Sequence, residues 1–188
     1  MMENTCTRLG DTRIIYINGQ IDDNMAFIFN TLLLRMEQES REEISVYINS
    51  PGGSITAGYS MIDTMNLIRP DVSTICVGAA YSMAALLLMS GTKGKRRILP
   101  HSTVLIHQSS MSMPDNLMKA SDVEHMAREG LRTRQSIYQT IHECTGQPPE
   151  QIAVDCEKES VMNAQETLNY HIVDEIVSSH KKKVHSDG

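Results

Sequence analysis

The chain has 188 residues, 40% of them hydrophobic and 21% charged, with a net charge of −6. That supplies one compact core and little material for a second domain. It excludes a general electrostatic affinity for nucleic acid, and the longest apolar run, residues 83–89, falls far short of the roughly 20 residues that span a bilayer.

Residues 1–12 form a short N-terminal segment. Its first residues, MMENTCTRLG, lack a basic stretch followed by an apolar one, so they do not read as a secretory signal and a cytoplasmic location is expected. A single domain then covers 13–178. Residues 13–17 (RIIYI) read as a β-branched strand closed by Asn18 and Gly19. Asp22 or Asp23 caps a helix running to about Glu39, with Met25, Ile28, Phe29, Leu32, Leu33 and Met36 at helical spacing. A second strand, 44–48 (ISVYI), ends on Asn49-Ser50-Pro51-Gly52-Gly53. A helix follows over 54–68, stopped by Pro70, and then a strand over 72–77.

Gly78-Ala79-Ala80 leads to Ser82 and an apolar helix over 83–89, which should be buried because it is apolar all round. Short strands are expected at 97–99 and 104–106, and a long helix over about 115–143 with Gly146 as its C-cap. Pro148 opens a shorter helix. Asn163 and Glu166 have the spacing of a capping box, and a last strand covers 172–177. The basic run His180, Lys181, Lys182, Lys183 belongs to a solvated tail over 179–188. Strand–helix alternation predicts an α/β fold with parallel strands joined by right-handed crossovers.

The four cysteines, Cys6, Cys76, Cys144 and Cys156, show no CxxC or CxxH spacing, so reduced structural thiols are expected and no metal site. Thirteen methionines against two phenylalanines suit helix cores and subunit interfaces, or an adaptable ligand groove.

Three segments place a glycine or polar feature at the end of an apolar strand, where catalytic groups of α/β sheets collect. In Ser50-Pro51-Gly52-Gly53 the paired glycines permit positive φ and close backbone approach, although Pro-Gly-Gly is also ordinary turn chemistry. In GAAYSMAA, small residues flank Ser82 at a strand-to-helix junction, which exposes a hydroxyl beside helix N-terminal N–H groups. Read alone, Ser82 is equally a plain N-cap. It is not a GxSxG elbow. In VLIHQ, His107 closes a strand, as a proton acceptor for serine or as a satisfied loop histidine.

YINSPGG, GAAYSMAALLL and VLIHQ occur in this order, with INSPGGSITAG, IRPDVSTICVG, GTKGKR and ECTGQ around them. Over residues 13–177 the chain resembles the proteolytic-subunit family of the Clp protease. The resemblance implies a ClpP/crotonase-type α/β fold, built of repeated β-β-α units with a protruding helix or handle. It implies a serine endopeptidase that cleaves peptides and unfolded proteins in a self-made chamber of heptameric rings, stacked as a tetradecamer. ATP would be used by a partner AAA+ ATPase of the Clp family, so no cofactor is expected in this subunit, nor nucleic acid or a membrane.

Carried over residue by residue, the resemblance makes Ser82 the nucleophile and His107 the general base, with the N–H groups of Gly53 and Met83 as the oxyanion hole. Glu159 stands where the family has aspartate, and Asp155, four residues earlier, is the other carboxylate within reach. Two further departures concern assembly. Residues 108–121 (QSSMSMPDNLMKAS) lack the family's handle glycines, and Ser45 stands where an aromatic usually lines the ATPase-docking pocket. Together with the short N-terminus, these changes raise a second reading, a weakly active assembly or regulatory subunit joined to a catalytic paralogue. A third, acyl-coenzyme A chemistry on the same fold, would leave the Ser82/His107 pair idle.

Overall fold

A computed structural model describes residues 4–108, 119–159 and 161–177. Among them, β1 (Thr5–Arg8) precedes β2 (Ile14–Asn18), α1 (Asp23–Glu39), β3 (Ile44–Ser50), α2 (Ile55–Leu67), β4 (Val72–Tyr81) and α3 (Met83–Met89). There follow β5 (Arg96–Ile98), β6 (Thr103–Leu105), α4 (Ala120–Thr145), α5 (Pro149–Lys158), β7 (Val161–Met162), α6 (Ala164–Asn169) and β8 (Glu175–Ile176). Strands β2, β3, β4, β5 and β8 lie parallel in that order, as the alternation predicts.

The helices form where the periodicity and caps put them. Asp22 Oδ1 accepts the Met25 N–H at 2.8 Å, and Met25, Phe29, Leu33 and Met36 then recur on one buried face of α1. Ser54 caps α2, which buries Ala57, Met61 and Met65. Asn163 and Glu166 form the expected capping box at α6. These faces close over the buried side chains of Ile15, Ile17, Val46 and Ile48. Each such fully buried aliphatic contributes roughly 1.5–3 kcal/mol of transfer free energy. Methionines 25, 36, 61, 65, 83, 89 and 162 are all buried, so the methionine surplus goes largely into the core.

The strand expected over 72–77 runs on to Tyr81, and its extension creates the site. Ile48 pairs with Cys76 and Ser50 with Ala80, so two residues of β3 span four of β4. The bulge centres on Gly78, whose φ of 93° suits glycine. Asn49 Oδ1 accepts the Ala79 N–H at 3.2 Å, and Ser102 Oγ accepts from Gly78 N while donating to Cys76 O. Below the bulge β4 pairs with β5; above it, Ala79, Ala80 and Tyr81 pair with β6. The sheet forks there, and the upper branch carries Ser82.

Two strands escaped the sequence reading. β1, inside the short N-terminal segment, pairs antiparallel with β2, and β7 pairs antiparallel with β6. The expected last strand shrinks to Glu175–Ile176. In α4 only Ile137, Ile141 and Thr145 are buried, all in its second half. The remainder of the handle segment, 109–118, and the tail over 179–188 lie outside the described residues.

Candidate active site

Ser82 stands between β4 and α3 with φ 57° and ψ −123°, a left-handed conformation that costs a non-glycine residue about 1–3 kcal/mol. It occupies the N-cap position of α3, yet its side chain makes no capping hydrogen bond, which sets aside the plain N-cap reading. Its backbone is pinned instead: the Ser82 N–H donates to Leu105 O of β6 at 2.8 Å, and the Ala85 N–H donates to Ser82 O at 2.9 Å. Among the described residues the hydroxyl has no hydrogen-bond partner, while its backbone is fixed.

The Pro-Gly-Gly turn packs onto this elbow. A Cβ on Gly52 would lie 2.8 Å from Ser82 Cβ and 3.0 Å from Met83 N, so only glycine permits the approach. Gly53 bridges to Ile21, which donates its N–H to Gly52 O and accepts the Ser54 N–H, both at 2.8 Å. Among the described residues, neither the Gly53 nor the Met83 N–H has a hydrogen-bond partner. Two backbone donors therefore remain available beside Ser82.

His107 follows β6 by two residues and is held from both sides of its strand. Leu105 pairs with Val161, and the Gln108 N–H donates to Cys156 O at 3.0 Å. Between these two ties the chain turns at Glu159, the αL C-cap of α5, with φ 51°. Glu159 Oε1 lies 3.7 Å from His107 Nδ1, an ion-pair distance rather than a hydrogen bond, with Glu159 68% exposed and His107 23%. Asp155 is otherwise engaged. Its Oδ2 accepts from Tyr170 Oη at 2.9 Å and its Oδ1 from Gln151 at 2.8 Å, and it lines a different cleft.

Ser82, His107, Gly53 and Met83 line one cleft of about 80 Å³. Ser82 and His107 form no hydrogen bond to each other among the described residues. Such bonds are often long in unliganded enzymes and tighten on substrate. Three further residues line the cleft and were not singled out from sequence: Ile55, Leu86 and Ile137. Ile55 follows the glycine turn by two positions and Leu86 lies one helical turn beyond Ser82, so both were within reach of pattern reasoning. Ile137 comes from α4 and carries no local signal. No group of three or more potential metal ligands occurs among the described residues, and none of their helices is long and apolar enough to cross a membrane.

A serine hydroxyl, an imidazole and unpaired backbone donors around one cleft are the parts that acyl transfer requires, here on a mixed α/β sheet. Residues 1–180 match the family model described as Clp protease. The chain belongs to the Clp protease family, and by that membership is a peptidase-type protein with the family's α/β fold.

Proposed function

We propose that the chain is a serine endopeptidase subunit that hydrolyses peptides and unfolded proteins. Ser82 Oγ attacks the scissile carbonyl while His107 takes its proton. The Gly53 and Met83 N–H groups receive the oxyanion. His107 then gives the proton to the leaving amine, and a water activated by His107 releases the acyl group and restores Ser82. Glu159 orients the imidazole through Nδ1. The observation that carries this reading is the uncapped Ser82, held at positive φ in the cleft it shares with His107.

The reading extends to assembly: heptameric rings stacked as a tetradecamer in the cytoplasm, with ATP used by a partner AAA+ ATPase and no cofactor in this subunit. Family membership supports it, as do large apolar side chains left exposed on helices, Phe27 at 70% and Leu67 at 75%. Sedimentation as a monomer at micromolar concentration contradicts the assembly. The 3.7 Å contact and the unmade Ser82–His107 bond favour one alternative, a weakly active subunit working beside a catalytic paralogue. Steady hydrolysis of a fluorogenic peptide by the assembled chain, abolished in Ser82→Ala, supports the endopeptidase. Equal rates in the two proteins overturn it.

A further inference from the structure

Ser82 and His107 follow different strands, so the reach from hydroxyl to imidazole depends on how β4 and β6 lie against each other. Three register pairs join these strands: Ala79 with Thr103, Ala80 with Val104 and Tyr81 with Leu105. Up to Cys76, β4 pairs with β5 instead, and Val77 and Gly78 have no register partner in β3, β5 or β6 among the described residues. A side chain bridges that gap. Ser102, the residue before β6, is 2% exposed, and its Oγ accepts the Gly78 N–H at 2.8 Å while donating to Cys76 O at 3.1 Å. We propose that Ser102 is a positioning residue for hydrolysis, its hydroxyl fixing β6 on the β4 bulge so that His107 meets Ser82. The inference rests on the endopeptidase reading.

One hydroxyl thus clasps the backbone on both sides of the bulge. The turn before β6 is fastened to the same place, since the Leu99 N–H donates to Cys76 O at 3.1 Å and the Ser102 N–H to Leu99 O at 3.0 Å. Asn49 holds the bulge from the other side through the Ala79 N–H, but it ties β4 to β3 and leaves β6 free. Two other side-chain contacts cross between β4 and β6, Tyr81 Oη with Thr103 Oγ1 at 2.8 Å and the Cys76 thiol to Thr103 O at 3.7 Å. Neither reaches the Gly78 N–H. Without the Ser102 hydroxyl this buried donor loses its partner, an unfavourable state that the bulge escapes only by moving.

Small movements there are amplified at the site. Ser82 lies four positions beyond Gly78, and His107 five beyond Ser102. At about 3.3 Å per extended residue these arms are roughly 13 and 17 Å long. A tilt of about 4° at the clasp then shifts the far end of the longer arm by about 1 Å, a misplacement that can cost about 10²-fold in rate.

The test reads how much His107 contributes, because a merely structural serine would leave that contribution intact. Fluorophosphonate labelling rates of Ser82 are measured in the assembled chain, in His107→Ala, in Ser102→Ala and in the double variant. Ser102→Ala is expected to lower kcat on a fluorogenic peptide by about 10- to 100-fold, with KM within about threefold. The slowing of labelling by His107→Ala, at least about 100-fold in the unaltered chain, is expected to shrink to about tenfold in the Ser102→Ala background. Ser102→Thr keeps the hydroxyl and restores the larger factor. Thr167→Val deletes a buried hydroxyl that bonds only within the α6 turn, and is expected to leave the His107 factor unchanged. Should Ser102→Ala not assemble, Ser102→Cys carries the comparison, its thiol being a weak donor and acceptor. A His107 factor that shrinks by less than about threefold in the Ser102 variant overturns the inference. No labelling of Ser82 in the unaltered chain overturns the endopeptidase reading, whereas a labelled chain with an unchanged His107 factor overturns only the role of Ser102.

Discussion

Gly58→Ala places a methyl group on the Met83 side chain, within 2.8 Å of Sδ and 2.9 Å of Cε and closer still to Cγ. Gly58 is buried in α2 and has ordinary helical φ, so the substitution gains about 1 kcal/mol of helix propensity. Overpacking opposes it by about 1–3 kcal/mol. The net change, from near zero to about 2 kcal/mol of destabilisation, leaves a folded protein. Activity is more exposed, because the residue that must yield is the one whose N–H is assigned to the oxyanion. Loss of one such donor costs about 10²–10³ in kcat. A partial displacement of Met83 is expected to lower kcat by roughly 10- to 1000-fold with KM little changed. The double variant Gly58→Ala with Met83→Ala removes the clash and keeps the N–H, so part of the lost kcat returns. Peptide kinetics and urea midpoints on the four members of the cycle measure this coupling. Unchanged kcat in Gly58→Ala, or a double variant no faster than Gly58→Ala, refutes the reasoning.

Three other outcomes are expected. Glu159→Gln lowers kcat by up to roughly 10⁴, as loss of an imidazole-orienting carboxylate can, while Asp155→Asn leaves kcat within a few-fold because its oxygens serve Tyr170 and Gln151; the two rates compared on one peptide decide it. Arg96, whose side chain is only 4% exposed, pairs with Asp174 through two bonds of 2.6 and 2.9 Å. Burial pushes the Asp174 carboxyl up, but bonds from the Arg96 side chain and backbone, the Arg96 charge and the Gly94 N–H outweigh this and hold it below the usual carboxylate range. A depressed folded value means that the pair's stabilisation is present above the unfolded value of about 3.9 and is lost as pH falls through the folded one. Asp174→Asn is therefore expected to cost about 3 kcal/mol at pH 7, with the gap to the unaltered chain narrowing in acid; urea titrations across pH reveal a gap that stays constant if this is wrong. Burial also pushes the thiols of Cys6 and Cys76 up to about 12 and that of Cys156 up to about 11. Iodoacetamide at pH 8 should then label these three slowly in the folded chain and rapidly in urea, as read by mass spectrometry.

Much of the fold was legible because its signals are local. The α1 and α6 caps, the α2 stop before Pro70 and the Gly146 C-cap with φ 76° rest on residues adjacent in the chain. What escaped depends on partners distant in sequence. Thr5–Arg8 and Val161–Met162 are too short to show a period and become strands only against β2 and β6. The extension of β4 depends on Gly78 and Asn49 together, so composition alone ended that strand at Val77. At the candidate site, Ser82 and His107, which both line one cleft, stood out in the sequence at strand ends. The choice between Glu159 and Asp155 did not, since both lie on one short helix and its C-cap. Their surroundings differ through partners distant in sequence: Glu159 Oε1 lies 3.7 Å from His107 Nδ1, whereas Asp155 accepts from Tyr170 and lines a separate cleft. Ile137, on α4 and more than 50 positions beyond Ser82, also reaches the cleft, and no pattern near it signals that.

The central claim is that the Ser82 hydroxyl becomes a nucleophile through His107. Intact-mass and peptide-mapping analysis of the assembled chain after fluorophosphonate treatment addresses it directly. One covalent adduct per subunit is predicted, on Ser82, with labelling slowed at least about 100-fold in His107→Ala. No adduct on Ser82, or equal labelling rates with and without the imidazole, would contradict it.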